Sequence, residues 1–190
     1  LTVAPGVEVR SHGAGLDAYG TLMAVGTVSD PITFTATSNV ILSAAEGPVS
    51  GAWDGIYVAG TVSQTNRSVF DYVTIEYGGW YANLHLRYAE VTLAHSLLRG
   101  SDEDGVYVST GGVAHISDTR FVDNARYAVY FGDGSVNPTL TALTATGNGY
   151  DAVGIGSGML KGRHVWEATG MPYILAGGVD VDVGGTLVVA

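Results

Sequence analysis

The acidic stretch at residues 101–105, "SDEDG", holds the densest group of side chains in this sequence that could perform acid–base chemistry. Two carboxylates flanking one glycosidic bond can divide the work, one as general acid and the other as general base. Asp102 and Asp104 are the candidates for that pair. The next two corners of the same kind, "DN" at 123–124 and "GNG" at 147–149, carry no matching carboxylate pair and no basic partner. A solvated acidic corner is therefore favoured, and we assign no catalytic residue.

Calcium is a second hypothesis for this corner, because Ca²⁺ takes carboxylate and carbonyl oxygens as ligands. Asp102 and Asp104 are the candidate ligands, although the spacings of the EF-hand and of the nonapeptide calcium repeat are absent. We expect no other metal or cofactor. The histidines share no zinc-binding spacing; they are His12, His85, His95, His115 and His164.

A column of ring side chains is the second candidate site. Tyr57, His85, Tyr107 and Tyr130 occupy positions that alternate with buried ones, so they are expected to stack on the outside of successive strands. Such a strip can contact sugar rings or form lateral contacts between filaments. Stacked equivalent side chains also stabilise parallel β-structure by themselves, and this structural role is the favoured interpretation.

The strands that position these residues are predicted from an internal repeat. Apolar residues recur in three columns in one register, at steps of 20 to 24 residues. The columns are Phe70, Leu93, Ile116, Leu140 and Leu160; Ile75, Leu98, Phe121, Ala145 and Val165; and Leu84, Val106, Val129, Val153 and Ile174. Short alternating strands between Gly-, Asn- and Asp-containing corners predict an all-β fold, a right-handed parallel β-helix of about eight rungs with uncapped ends. The same register predicts a surface salt bridge between Glu76 and Arg99.

One domain is predicted for the whole chain. Its parts are N-terminal rungs at 1–40, an inserted loop at 41–55, regular rungs of about 23 residues at 56–176, and a C-terminal rung at 177–190.

Composition excludes several classes of function. The 190 residues carry 8 Lys plus Arg against 18 Asp plus Glu, a formal net charge of -10, which repels nucleic acid and anionic lipid. No cysteine is present, so disulfides and thiolate metal sites are excluded. No apolar stretch approaches the roughly 20 residues of a membrane helix. We therefore expect neither a nucleic-acid partner nor membrane insertion.

The stretches "GTLMAVGTVSDPITFTA", "WDGIYV" and "SVFDYVTIEYGG", at 20–36, 53–58 and 68–79, resemble the right-handed β-helix repeats of bacterial and archaeal surface or adhesin-type proteins. This fold is shared with pectate-lyase-like enzymes, and "SDEDG" is similar to part of the Asp-rich motif of polygalacturonase-like enzymes. The resemblance covers residues 1 to about 131 and implies an extracellular or cell-surface location in a prokaryote. It favours no single activity, because the fold carries both enzymes and inert stalks.

The two ends of the chain echo each other, "LTVA" at the start and "TLVVA" at the close. An uncapped solenoid rung leaves backbone groups and apolar faces to pair with a further rung. Head-to-tail stacking, or a covalent tandem array, would satisfy both ends. The residues expected to form these contacts are Leu1, Thr2, Val3, Ala4, Leu187, Val188, Val189 and Ala190.

The sequence thus predicts a non-enzymatic structural subunit or repeat unit of an extracellular fibre, which assembles with copies of itself. The alternative is a carbohydrate-binding or polysaccharide-cleaving β-helix module that uses the ring column or the acidic corner.

Overall fold

The computed structural model describes residues 1–37 and 49–190. These residues form the strands β1 (Thr2–Val3), β2 (Glu8–Ser11), β3 (Leu16–Ala18), β4 (Met23–Val25), β5 (Ile32–Ala36), β6 (Ile56–Ala59), β7 (Asn66–Asp71), β8 (Val73–Glu76), β9 (Ala82–Arg87), β10 (Ala89–Ala94), β11 (Leu97–Arg99), β12 (Asp104–Val108), β13 (Val113–Ser117), β14 (Arg120–Val122), β15 (Tyr127–Phe131), β16 (Thr139–Thr141), β17 (Thr144–Thr146), β18 (Tyr150–Ile155), β19 (Gly158–Leu160), β20 (Arg163–Trp166), β21 (Tyr173–Leu175), β22 (Val179–Val181) and β23 (Thr186–Val189). The predicted inserted loop at 41–55 lies mostly outside the described residues and stays a prediction.

Every third strand pairs in parallel with its equivalent one turn later, and this pairing builds three long sheets. The first sheet has the order β1-β4-β7-β10-β13-β16, the second β2-β5-β8-β11-β14-β17, and the third β3-β6-β9-β12-β15-β18-β21. Two separate pairs, β19 with β22 and β20 with β23, follow at one end. The chain is therefore a parallel β-solenoid of about eight turns, which confirms the predicted all-β solenoid.

The strands alone build the described part of the chain, which contains no helix. Accordingly, nothing in residues 1–37 and 49–190 has the helical length and hydropathy needed to span a bilayer.

A single left-handed residue makes the corner between the first and second sheets. Tyr72, His95, Asp118 and Ala142 occupy this corner in successive turns, with φ angles of 48°, 46°, 48° and 52°. Residues other than glycine rarely adopt this conformation, so contacts between the stacked turns must hold the backbone in it. Backbone hydrogen bonds do so, since each of the first three residues donates its N–H to a carbonyl of the next turn.

The core follows the predicted columns. Phe70, Leu93, Ile116 and Leu140 pair in register and are all buried, and the column continues toward the N-terminus through Ala24 and Val3. Full burial of a side chain of this size contributes about 1.5–3 kcal/mol. Equivalent apolar residues stacked turn upon turn thus form one continuous core.

The predicted columns fail at the C-terminal end. Val153 pairs with Tyr173 instead of Ile174, so the third column is wrong by one residue at its last member. Leu160 and Val165 lie in the two separate strand pairs and have no pairing to the first or second sheet. The shorter steps in the sequence at this point reflect an interruption of both sheets.

The two terminal strands occupy different positions of the turn. β1 belongs to the first sheet. β23 pairs with β20, which directly precedes β21 of the third sheet and so takes the place that a second-sheet strand has in earlier turns. The similar stretches "LTVA" and "TLVVA" thus form strands at two different places in the turn.

Candidate functional site

The predicted ring column lies on the outer face of the third sheet. Tyr57 pairs with His85, His85 with Tyr107, and Tyr107 with Tyr130, each one turn apart. Neighbouring residues in these strands point into the core, so the four rings face outward and are half-buried.

The four rings form a continuous stack along the solenoid. Ring centroids lie 4.8 Å apart from Tyr57 to His85, 4.8 Å from His85 to Tyr107 and 5.6 Å from Tyr107 to Tyr130, at interplanar angles of 38°, 24° and 18°. These separations are close to the strand spacing of a sheet. The stack ends at Gly154, where an added Cβ would lie 2.7 Å from Tyr130 Cδ2.

The interior rings of this column cannot offer their flat faces to a ligand. Each face of His85 and of Tyr107 lies against a neighbouring ring, so these rings present mainly their edges and polar atoms to solvent. Stacking on a sugar requires an uncovered face, which the column alone does not supply.

Uncovered rings occur beside the column. Trp80 and Tyr81 immediately precede β9, and their side chains are 70% and 50% exposed. Tyr81 leans against His85 and Tyr107, at centroid distances of 5.1 and 5.7 Å. Tyr19, 72% exposed, meets Tyr57 edge-on at 6.3 Å. Trp80 and Tyr81 also stack on each other, at a centroid distance of 6.3 Å and an interplanar angle of 26°. The outer face of the third sheet therefore carries rings that are well exposed as well as rings that are half-buried in the column.

These rings line a groove of about 690 Å³, a volume in the range of small-molecule sites. Three charged groups share it. Asp17 lies in register with Tyr57 at one end of the column. Asp54 and Asp17 both lie next to Gly15, since a Cβ added to Gly15 would be 3.1 Å from Asp54 Cβ and 3.6 Å from Asp17 Oδ1. Arg87 lines the groove from β9. Within the described residues, none of the three charged groups has an ion-pair partner.

His85 is neutral in this environment. Its burial between rings, with Arg87 as a second cause, lowers the pKa of His85 to about 4. Its Nε2 lies 2.9 Å from Ser109 Oγ, which fixes the ring orientation.

The two carboxylates of the acidic corner differ in burial. Asp102 is exposed and packs near Gly51 and Gly79, and burial followed by the charge of Glu103 raises its pKa. Asp104 is 1% exposed, and its Oδ1 accepts the Tyr127 N–H at 2.9 Å. Burial raises the pKa of Asp104 to about 6, against the smaller opposing effects of that hydrogen bond and of Arg126. The two side chains thus lie in different surroundings.

The structure adds no support for a calcium site at this corner. Across the described ranges, no group of three or more His, Asp or Glu side chains is arranged to hold a metal ion. Asp102 and Asp104 therefore remain sequence-based candidates only.

The predicted salt bridge is present but is not fully on the surface. Arg99 and Glu76 approach to 2.6 Å, and the Glu76 side chain is only 10% exposed. Their position in register on β11 and β8 brings them together.

The predicted assembly residues lie at opposite ends of the solenoid. Leu1 is largely exposed and Val3 is buried at one end, while Leu187 and Val188 are half-buried and Val189 is exposed at the other. Each end strand has a partner on one side only, β1 with β4 and β23 with β20.

The sequence analysis did not identify Arg87 and Ser109 of the regular turns, nor five further residues of the groove. Trp80 and Tyr81 lie in the corner "GGWY" outside the repeat columns, and Tyr19, Asp17 and Asp54 lie in the less regular N-terminal third. The signal for Asp17 was available, since it continues the column of Tyr57 one turn earlier. The other four depend on how the corners fold over the third sheet.

The groove is thus lined by a stack of rings that present their edges to solvent, by three more exposed rings, and by three charged groups. Within the part of the chain that the structure describes, these charged groups have no ion-pair partner. Comparison with protein-family models, with curated proteins and with solved structures gives no match to this chain.

Proposed function

We propose that this β-solenoid binds carbohydrate in the groove on the outer face of its third sheet. The observation that carries the proposal is the pair of exposed rings, Trp80 and Tyr81, 70% and 50% exposed, beside a groove of about 690 Å³. Sugar rings stack their apolar C–H faces on such exposed aromatic surfaces, while polar groups nearby fix their orientation.

The charged groups of the groove support the same ligand class. Asp17 and Asp54 can accept hydrogen bonds from sugar hydroxyls, and Arg87 can donate them. Hydrogen bonds to ionised groups are roughly twice as strong as those between neutral groups. Two carboxylates and one guanidinium leave the groove with a net negative charge, so neutral oligosaccharides are the expected ligands.

We propose binding rather than cleavage, because Asp104 is buried and holds the Tyr127 N–H while Asp102 is exposed. As part of the same proposal, the resemblance to surface and adhesin-type β-helix proteins supports an extracellular or cell-surface location in a prokaryote.

Trp80 supplies a direct readout of binding. The other two tryptophans, Trp53 and Trp166, are 2% and 3% exposed, so ligand-dependent changes in tryptophan fluorescence report on Trp80. The protein is titrated with cellohexaose, xylohexaose, mannohexaose and chitohexaose, followed by fluorescence and by calorimetry. Saturable binding of at least one of these is expected.

Two tyrosines provide a matched pair of variants. Tyr81 and Tyr150 are both 50% exposed, but only Tyr81 lines the groove. Tyr81→Ala is expected to weaken binding by about tenfold, the loss of about 1.4 kcal/mol of stacking, whereas Tyr150→Ala leaves affinity unchanged. Equal effects of both variants, or no binding by the wild-type protein, would refute the groove as a carbohydrate site. Release of new reducing ends from a hexasaccharide would show that the protein cleaves carbohydrate, and the proposed function would then be cleavage instead of binding.

A fibre subunit is a second proposal, supported by apolar side chains at both ends of the described solenoid. Leu1 is 71% exposed at one end, and Leu175 and Val183 are 60% and 101% exposed at the other. Stacking a second copy head to tail would cover these surfaces and pair the edge strands β21, β22 and β23 with β3, β1 and β2.

Electron microscopy and sedimentation of concentrated protein test this assembly. Fibres of chains of about 19.6 kDa are expected, and Val183→Asp is expected to abolish them while the groove still binds carbohydrate. A strictly monomeric protein at all concentrations would contradict head-to-tail assembly.

A further inference from the structure

The hydrogen bonds around Ser109 define the state of the His85 ring. Ser109 Oγ lies 2.8 Å from the carbonyl oxygen of Leu86 and 2.9 Å from His85 Nε2. A carbonyl oxygen can only accept, so the single hydroxyl hydrogen of Ser109 is donated to Leu86. The hydroxyl therefore presents a lone pair to His85, and Nε2 must carry the hydrogen of this neutral ring.

The other ring nitrogen is then an unprotonated acceptor. Nδ1 has no hydrogen-bond partner within the described residues, and it is not among their fully buried, unpartnered polar atoms. His85 lines the groove between Tyr57 and Tyr107, whose rings cover its two faces. A molecule in the groove can therefore contact His85 only at the edge of its ring, and Nδ1 lies on that edge.

We propose that His85 is a specificity-determining residue of the groove, whose Nδ1 accepts a hydrogen bond from a hydroxyl of the bound sugar while Ser109 holds the ring in the Nε2–H tautomer. This inference rests on the proposed carbohydrate function. It deepens that function, because the site then requires a hydroxyl donor at one defined position. A sugar without that hydroxyl would leave the nitrogen unpaired on binding, and unpaired polar groups give strong discrimination.

The surroundings of His85 keep this acceptor available. Arg87 on the same strand is the charged group in direct proximity, and Tyr57, Tyr81 and Tyr107 contact the ring from neighbouring elements. Burial, followed by the charge of Arg87, lowers the pKa of His85, so Nδ1 remains an acceptor through neutral pH.

The tautomer is measured first, on the free wild-type protein at about pH 7. Long-range ¹H–¹⁵N correlation spectra distinguish a protonated from an unprotonated imidazole nitrogen, and the His85→Phe spectrum assigns the His85 signals among the five histidines. A protonated Nε2 and an unprotonated Nδ1 are expected. The opposite tautomer, or a charged ring, would overturn the inference without any ligand being added.

Binding is measured next, with cellohexaose, xylohexaose, mannohexaose and chitohexaose. His85→Phe keeps a flat ring in the stack but removes both nitrogens, so a loss of about tenfold in affinity is expected for the hexasaccharide that binds wild-type protein. Ser109→Ala removes the group that fixes the tautomer, so mixed tautomers and a smaller loss, about threefold, are expected.

The outcomes separate the two proposals. Unchanged affinity in His85→Phe, with tight binding by the wild-type protein, would overturn the role of His85 and leave the carbohydrate site standing. No binding of any hexasaccharide by the wild-type protein would overturn the carbohydrate site, and the recognition role with it. A shift of the wild-type Nδ1 resonance on sugar addition supports the inference directly.

Discussion

Replacing the buried carboxyl group of Asp104 by the amide in Asp104→Asn is expected to stabilise the solenoid at neutral pH. Asp104 is 1% exposed, has no ion-pair partner within the described residues, and accepts one hydrogen bond from the Tyr127 N–H. An asparagine side chain can accept the same hydrogen bond through Oδ1. The substitution thus removes a buried negative charge and preserves the contact.

The magnitude follows from the pKa of this carboxyl. Its pKa is about 6 in the folded chain against an ordinary value of 3.8, because burial disfavours the charged form. At about 1.4 kcal/mol for each pH unit, ionisation of Asp104 costs the folded state about 3 kcal/mol. The folded protein binds this proton more tightly than the unfolded chain does, so the full stability is present below about pH 4 and is lost as pH rises through about 6.

Urea unfolding at pH values between about 3.5 and 7.5 measures the effect, with fluorescence of the buried Trp53 and Trp166 as the signal. The difference in free energy of unfolding between Asp104→Asn and wild type is expected to be near zero at the acidic limit. It should rise to about 3 kcal/mol at pH 7.5. Asp180→Asn is the control, since Asp180 is exposed and its removal changes the net charge equally.

A stability difference that does not vary with pH would refute this reasoning, as would a variant less stable than wild type at pH 7.5. Either result would mean that the ionised carboxylate has a favourable partner in the folded state, and that burial does not dominate its pKa.

Two further substitutions test the polar groups that join the turns. Asn124→Ala is expected to cost about 2–4 kcal/mol, because the buried amide of Asn124 accepts from the Ser101 N–H at 3.1 Å and donates to Asn148 Oδ1 at 2.7 Å; urea unfolding measures the loss. Arg99→Met is expected to cost about 1–3 kcal/mol in the same assay, because it leaves the mostly buried carboxylate of Glu76 unpaired.

Each of these variants has a control substitution at an exposed position. Thr146→Ala replaces an exposed side chain on a neighbouring strand and should change stability by less than about 0.5 kcal/mol. Arg67→Met removes an ion pair with Glu90 whose side chains are 78% and 36% exposed, so its effect should be as small. A loss for Arg67→Met as large as that for Arg99→Met would contradict the role assigned to burial.

The central turns were predictable because their signals are local and repeated. Phe70, Leu93 and Ile116 recur at a fixed step and alternate with polar neighbours, and both patterns follow from the geometry of a strand. The outward column of Tyr57, His85 and Tyr107 follows from the same alternation, since neighbours of a buried residue must face out.

The register changes by one residue beside the third predicted column, which still pairs Val129 with Val153 as predicted. β18 pairs Tyr150 with Tyr127 but Val153 with Val129, so it contains one extra residue between these pairs. Such a bulge interrupts the alternation of β18, and Tyr127 on the partner strand is 7% exposed and stacks with Tyr130 and Tyr150. No feature of the residue types marks the bulge, because it depends on the fit to the neighbouring strand.

By itself, the sequence determined the β-solenoid, its turn length and the outward ring column, because strand alternation and a constant step are properties of the chain read residue by residue. Only the tertiary structure decided which rings keep a free face. His85 is covered on both sides by rings one turn away, whereas Trp80 stacks only with Tyr81 and is 70% exposed. The tertiary structure also decided that Asp104 is buried while Asp102 is exposed, because burial depends on neighbours that are distant in the sequence and adjacent across turns.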